Sequence, residues 1–413
     1  MMHACVRRLT AGALALVLAL TLGACGSKDK TDLPQDPTEE VTLEPSVEPT
    51  PEPTPEPPTV ATLVVGGDVM SHSTNVKDSW DPVAQEYNYL REIENIRPWI
   101  ENADFAVANL ETTLAADNYT GYPTFRSPDA LAYNLKDLGF DLLLTANNHC
   151  VDNGFAGLSR TLDVLDEVGI PHVGTSRTQE EADNNIVVGD VGGISVAFLG
   201  FTYGTNGIPL AKDAPFSVNL FNKDYLTNLS DLDTDRLKTE LDKAKALNTD
   251  LIAVLIHWGV EYQYTENEYQ HKVTDFLIAN GADLVLGGHP HVLQPVDEAR
   301  TVTLADGTER TGFVSYSLGN LISGQDKEPR ATTALLTLTL ERNNETGETR
   351  VADWEYAPIY RTDDLSAPVR FVLLDPYTVP NNAKAQAALD LIHQILPIEH
   401  DATYRAQGGQ TVS

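Results

Sequence analysis

One stretch constrains this chain more than any other: Asp283-Leu284-Val285-Leu286-Gly287-Gly288-His289-Pro290-His291. A short apolar run reads as a buried strand, and it stops at two glycines, which let a backbone turn sharply or approach a neighbour closely. Two histidines follow, separated only by Pro290. Residues i and i+2 of an extended segment point the same way, and a proline biases the residue before it toward extended geometry. The stretch therefore predicts two imidazoles at a strand end, facing one cavity and suited to a metal ion. A pair of surface histidines in a turn explains the same letters, so the rest of the chain has to supply further ligands.

The remaining apolar runs end in the same manner. Ala61–Val65 leads into Gly66-Gly67-Asp68, which places a carboxylate at the carboxyl end of a buried strand, where open α/β sheets bind ligands. A turn-capping Asp is the structural alternative, and His72 lies four residues on, within reach of the same site or simply in a loop. A helical pattern spans about 83–100, and Asp104–Ala108 reads as a strand ending in Asn109-Leu110-Glu111. Residues 112–128 form a loop whose Tyr119, Tyr122, Phe125 and Arg126 make a candidate substrate wall. After a short helix at 129–138, Asp141–Thr145 ends in Asn147-Asn148-His149, with Asp152 close behind. Helix 154–168, strands near 171–174, 186–188 and 194–201, and an irregular insertion at 204–230 follow. Helix 231–247 leads to Leu251–Ile256, which ends at His257-Trp258-Gly259, and helix 266–280 returns the chain to the opening motif. Strands at 311–317 and 331–340 flank Ser317-Leu318-Gly319-Asn320, and a strand near Trp354 and a helix at 382–396 complete the pattern. Strands alternating with helices predict right-handed βαβ units and a mainly parallel sheet.

Asp68, Glu111, Asn148, His149, His257, His289 and His291 thus fall at one edge of one sheet. Each alone has a plain structural explanation, but the set is hard to dismiss. Imidazole and carboxylate together suit Zn²⁺, Mn²⁺ or iron. The donors outnumber the needs of one tetrahedral ion. A carboxylate able to bridge, an amide and several imidazoles suit two ions roughly 3.5–4 Å apart, a pair able to activate water and clamp a tetrahedral phosphoryl group.

Composition bounds the rest. The 413 residues are 42% hydrophobic, enough for a sizeable core, and the formal net charge of −32 argues against nucleic acid or anionic lipid headgroups as the main partner. With only Cys5, Cys25 and Cys150, a disulfide framework and a cysteine-based zinc site are excluded. Arg7 and Arg8 precede the apolar run Leu9–Leu22, too short to span a bilayer comfortably, and Gly23-Ala24-Cys25 follows. The Leu22–Cys25 run resembles a bacterial lipobox, so residues 1–25 are expected to be a lipoprotein signal peptide with Cys25 lipidated. Residues 26–59, including the proline–acidic run 48–58, are expected to be an extended tether. At about 3.1 Å per residue it reaches on the order of 100 Å. The domain boundaries expected from this reading are 60–365 for the globular domain and 366–413 for an extension with a helix.

Gly67-Asp68-Val69-Met70, Asn109-Leu110-Glu111, Asn147-Asn148-His149, His257-Trp258-Gly259, Gly288-His289-Pro290-His291 and Ser317-Leu318-Gly319-Asn320 follow one another in this order. Together they resemble the CapA-like poly-γ-glutamate capsule-synthesis family of the calcineurin-like metallophosphoesterase superfamily, over roughly residues 61–325. The resemblance implies an α/β fold, a four-layer α/β/β/α metallophosphoesterase-like sandwich. It also implies a lipid-anchored location on the extracellular face of the cytoplasmic membrane. A part in making, exporting or anchoring poly-γ-glutamate, alongside the membrane subunits of a capsule synthetase, is implied too. Carried over residue by residue, Asp68 corresponds to the first-strand metal ligand and Glu111 to the bridging carboxylate. Asn148, His257 and His289 correspond to ligands of one ion, and His291 to a ligand of the other. His149 corresponds to the histidine that protonates the leaving group, with Asp152 orienting it. Ser317 and Asn320 are assigned to supporting or substrate contacts.

The chain departs from the superfamily pattern in two places. Val69 and Met70 follow Asp68 where Asp-x-His is usual, and Glu111 stands for the usual bridging Asp. One ion therefore lacks an imidazole unless His72 supplies it. The leading expectation is a metal-dependent hydrolase-like protein acting on a phosphoester or a γ-glutamyl amide. The alternative is a non-catalytic subunit that binds an anionic polymer. A transporter's solute-binding lipoprotein also fits the tether but leaves the histidines unexplained.

Overall fold

The computed structural model describes residues 56–325, 327, 330–362, 371–375, 382–406 and 408. The expected signal peptide, Cys25, the tether up to residue 55 and part of the 366–413 extension lie outside the described residues. Among the described residues no helix is long and apolar enough to cross a membrane.

Two mixed sheets face each other. The first has a parallel centre made of Thr59–Val69, Phe105–Leu110, Leu142–Leu144 and His172–Val173. Thr332–Arg342, Thr349–Arg361 and Phe371–Leu373 extend it in antiparallel fashion on the side of Thr59–Val69, and the short strand Asn320–Ile322 pairs parallel to the end of that same strand. The second sheet likewise has a parallel centre of Ile194–Thr202, Leu251–His257, Leu284–Gly288 and Glu309–Ser315. Its antiparallel edges are Val187–Val191 and Val296–Thr303.

Alternation along the second sheet's strands shows how the layers stack. Leu251, Ala253, Leu255, Leu284 and Leu286 join the apolar cluster that holds Leu63, Val107 and Leu144 of the first sheet. Ile252, Val254, Ile256 and Val285 join a separate cluster with Leu237 and Leu241 of helix Thr234–Ala246 and Val273 and Leu277 of helix Glu268–Ala279. Successive strand side chains point to opposite faces, so this sheet packs on the first sheet with one face and on two helices with the other. Leu131 and Leu135 of helix Ala130–Leu138 and Leu158 and Leu162 of helix Gly154–Val168 belong to the first cluster. The α/β sandwich implied by the resemblance is the fold. Leu389 and Ile392 of helix Ala383–Ile395 also lie in that cluster, so this part of the C-terminal segment packs onto the domain.

Three expectations change. The polar strand ends do not share one sheet: Asp68, Glu111, Asn148 and His149 follow strands of the first, whereas His257, His289 and His291 end strands of the second. Neither sheet is parallel throughout: antiparallel strands close both edges of the second sheet and one side of the first, whose other edge, His172–Val173, stays parallel. The helical pattern at 83–100 breaks into a ribbon of Trp80–Asp81 with Glu86–Tyr87 and short helices at Leu90–Ile93 and Arg97–Glu101. Pro98, which lacks an N–H, is housed in the first turn of a new helix instead of a helix interior.

Glycines let the sheets close at the carboxyl edges. A β-carbon on Gly288 would stand 2.5 Å from Asp68 Oδ1, and one on Gly67 would overlap the Gly319 carbonyl. Gly67→Ala is therefore expected to destabilise the protein by about 1–3 kcal/mol through overpacking. The midpoint of urea unfolding, at unchanged slope, measures it.

Candidate metal centre

The carboxyl edges of the two sheets converge on a buried group of donors. Asp68, at the end of Thr59–Val69, accepts from Asn109 Nδ2 at 2.8 Å with Oδ1, and Oδ2 accepts the His289 backbone N–H at 3.1 Å. His291 Nδ1 lies 3.1 Å from the same Oδ2. Both histidines depart from the extended geometry read from the sequence: their φ angles are 100° and 57°. Left-handed backbone in a non-glycine residue costs of order 1–3 kcal/mol and persists only where surroundings over-determine it. Here they do. Asp68 holds the His289 N–H, Tyr262 N–H donates to the Pro290 carbonyl at 2.8 Å, and Asn320 Nδ2 donates to the His291 carbonyl at 3.3 Å.

The second half of the site centres on His257 Nε2. It lies 2.9 Å from Asn148 Oδ1, 3.1 Å from His289 Nδ1 and 3.4 Å from Glu111 Oε1. Ligands bonded to one ion at about 2.0–2.2 Å stand roughly 3–3.5 Å apart, so these separations match the edges of a coordination polyhedron. Glu111 is fully buried, and its Oε1 has no hydrogen-bond partner. A buried carboxylate oxygen without a partner is costly. That oxygen sits 3.4 Å from His257 Nε2 and 3.7 Å from His291 Nε2. Glu111 is also common to two groups whose donor atoms lie within 4.8 Å of one another, Asp68–Glu111–His257 and Glu111–His289–His291. The residues present fit a pair of divalent cations sharing Glu111.

The electrostatics suit the same reading. Burial, reinforced by His257 and His291, pushes His289 well below its ordinary value, so it presents a neutral lone pair. Burial opposes charge on His291 too, but Glu111 and Asp68 outweigh it and raise the imidazole to about 9. Burial likewise tends to raise Asp68, yet the hydrogen bond and charge of His291 keep it lowered. Charge is thus concentrated on an Asp68–His291 pair, and a cation held there would compete with the His291 proton.

Beside this cluster stands a polar pair of a different kind. His149 Nδ1 is 2.8 Å from Asp152 Oδ2, which also accepts the Phe125 N–H at 2.7 Å. The Phe125 ring meets the His149 ring edge-on at a centroid distance of 4.7 Å. Asn206 Nδ2 lies 3.4 Å from His149 Nε2, and Asn206 Oδ1 accepts from Asn148 Nδ2 at 3.1 Å. Carboxylate, ring and loop together hold the imidazole with Nε2 pointing away from Asp152.

The other residues singled out in the sequence are placed differently. His72 Nδ1 accepts the Gly324 N–H at 3.1 Å, its ring meets Phe125 at 5.0 Å, and burial with the charges of His291 and His149 lowers it to about 4. It stands outside both donor groups. Arg126 is held by Asn153 Oδ1 and the Asn118 and Asp117 carbonyls, which ties it to its own loop and to the start of helix Gly154–Val168. Ser317 Oγ donates to the Val292 carbonyl and accepts the Gly319 N–H, a purely backbone duty. Asn320 braces His291 through its carbonyl. Two site residues were missed. Asn109 Nδ2 touches Asp68 Oδ1 and lies 3.1 Å from His257 Nδ1, and its two-residue spacing from Glu111 was a usable signal. Asn206 comes from the 204–230 insertion, where an Asn-Gly dipeptide reads only as a turn.

A family model described as "Bacterial capsule synthesis protein PGA_cap" matches residues 62–325. The chain is 28% identical over 291 residues to "Capsule biosynthesis protein CapA" of Bacillus anthracis, covering 68% of this chain and 64% of that protein. It is 30% identical over 237 residues to "PGA biosynthesis protein CapA" of Bacillus subtilis, covering 57% of this chain and 55% of that one. A "probable polyglutamine synthesis accessory protein" of Mycobacterium tuberculosis is 25% identical over 281 residues, covering 58% of this chain and 71% of that one. The chain thus spans less than two thirds of the length of either Bacillus relative. Among solved structures, a calcineurin-like phosphoesterase from Bacillus subtilis aligns with TM-score 0.41 and 16% identity over 73% of this chain and 91% of its own. A Mycoplasma pneumoniae phosphatase aligns with TM-score 0.39 and 14% identity over 73% and 94%.

Because His291 holds its proton up to about pH 9, divalent-ion affinity is expected to rise with pH between 7 and 9. The rise should approach ~10-fold per unit if one proton leaves per ion. Calorimetric titration of Mn²⁺ into the full chain, in buffers of different ionisation heat, counts that proton directly. His257→Ala and His289→Ala are each expected to reduce the bound metal.

Proposed function

From the premise that the chain belongs to the bacterial capsule synthesis protein family PGA_cap, we propose that it is a metal-dependent hydrolase. Its substrate is poly-γ-glutamate or another anionic polymer of a capsule, or a phosphoester formed during its assembly. The observation that carries this reading is the His149–Asp152 pair set beside the donor cluster. A site that only gripped a polymer through metal would have no use for a buried imidazole with one nitrogen tied to a carboxylate.

Asp68 and His291 would hold one cation, Asn148, His257 and His289 the other, with Glu111 between them. Bound divalent ions supply Lewis acidity, lowering the pKa of an attacking water and offsetting charge on a tetrahedral centre. The chain's own residues do the remaining work. With Nδ1–H donated to Asp152, His149 presents Nε2, and as an imidazolium it can give the Nε2 proton to the leaving oxygen or nitrogen. The Asp152 carboxylate stabilises that imidazolium and fixes the ring orientation. Phe125 packs against the ring and excludes water from one side. The net charge of −32 repels a polyanion, so the local positive charge of the ions is what admits one.

We further propose that Cys25 is lipidated and that the proline–acidic tether holds the domain outside the cytoplasmic membrane, beside the membrane subunits of a capsule synthetase. The basic, apolar and small-residue order of residues 7–25 supports this. Cys25→Ser is expected to move the protein from the membrane fraction to the soluble one, followed by immunoblotting of fractionated cells.

A second reading, a non-catalytic polymer-binding subunit of the synthetase, is favoured by one feature. Buried Met70 stands where an imidazole would complete the Asp68 ion, and His72 spends Nδ1 on Gly324. One experiment separates the two. The metal-loaded full chain is assayed on a generic phosphodiester and on γ-linked glutamate oligomers. His149→Ala is expected to lower turnover by about 10²–10⁴-fold with bound metal unchanged. Stoichiometric metal with no turnover above that variant would sink the hydrolase and leave the binding subunit.

A further inference from the structure

An asparagine ligand has a weakness that a carboxylate lacks: its two ends are nearly the same shape, and only the oxygen can hold a cation. Something must decide which end of Asn148 faces His257. Its Oδ1 lies 2.9 Å from His257 Nε2, and its Nδ2 donates at 3.1 Å to Asn206 Oδ1. The other end of the Asn206 amide, Nδ2, lies 3.5 and 3.4 Å from the two ring nitrogens of His149. A single side chain therefore touches both the candidate metal ligand and the candidate proton donor.

Asn206 belongs to neither strand end. It sits in the insertion at 204–230, is exposed to solvent, and has φ 50°, a conformation that Asn tolerates better than most residues. The turn that carries it is closed without its side chain: Ile208 N–H donates to the Thr205 carbonyl at 2.8 Å, and Thr205 Oγ1 donates to the Ile208 carbonyl at 2.6 Å. The amide is thus not needed to build the loop, and both of its ends are spent on the site.

We propose that Asn206 is a positioning residue that locks Asn148 with its oxygen toward the cation and steadies the His149 ring. This rests on the metal-centre reading above. The insertion then acts as part of the site and not merely its rim. An acceptor at position 206 is what the Asn148 amide requires. A carboxylate there satisfies Asn148 equally well.

The test compares Asn206→Gly, which removes the side chain at no backbone cost, with Asn206→Asp. Mn²⁺ alone is titrated into the full chain of each, followed by the electron paramagnetic resonance of free ion. Asn206→Gly is expected to weaken binding by about 10–100-fold, the usual effect of losing a partner that orients a ligand. Its melting temperature before metal is added should match the wild type. Asn206→Asp is expected to bind within about threefold of wild type. Equal affinity of wild type and Asn206→Gly would overturn the inference, as would an Asn206→Asp variant as weak as Asn206→Gly. Failure of the wild type itself to bind Mn²⁺ would overturn the metal centre and this inference together.

Discussion

The carboxylate of Glu111 organises the site. It is fully buried, carries one oxygen with no hydrogen-bond partner, and faces His257 and His291 from the opposite sheet. In a low-dielectric interior such a group is tolerable only with positive charge close by. The protein supplies part of that charge as the His291 imidazole, raised to about 9 between Asp68 and Glu111. A divalent cation would supply more. The same arrangement that makes the carboxylate expensive to bury makes the site fit a metal.

Two sheets are needed because no single sheet could surround Glu111. Parallel strands bring their carboxyl ends to one edge, but they do so in a row. Facing one parallel core with another turns the row into a cage, with carboxylates and amides from one side and imidazoles from the other. The close approach depends on residues without side chains. Gly288 lies against Asp68 and Gly67 against Gly319, where a methyl group would hold the strand ends apart. Glycine is therefore part of the metal site without donating an atom to it.

Much of this was legible in the sequence, and the reasons for success and failure are physical. The helix at 154–168 and the strands ending at Asp68, His257 and Gly288 carry strong periodicity or long apolar runs, so their positions follow from burial alone. The edge strand Val296–Thr303 was overlooked because none of it is fully buried and its composition is largely polar. The division into two sheets could not be read from strand signals, since packing partners leave no local mark. Only the resemblance to a known family implied it. The left-handed backbone at His289 ran against the rule for a residue before proline, and that at His291 against an extended strand end, because tertiary hydrogen bonds with Asp68, Tyr262 and Asn320 outweigh local preference.

The departures from the superfamily pattern are informative for the same reason. Met70 is buried where an imidazole would stand, and His72 is turned toward Gly324 and Phe125. The Asp68 side of the cage therefore depends on His291 and Glu111 for its remaining donors, whereas the His257 side has an amide and two imidazoles. Were two ions bound, the unequal donor sets would hold them with unequal affinity, and the set with more imidazole and amide donors lies on the His257 side. His149 stands on that side too, joined to Asn148 through Asn206.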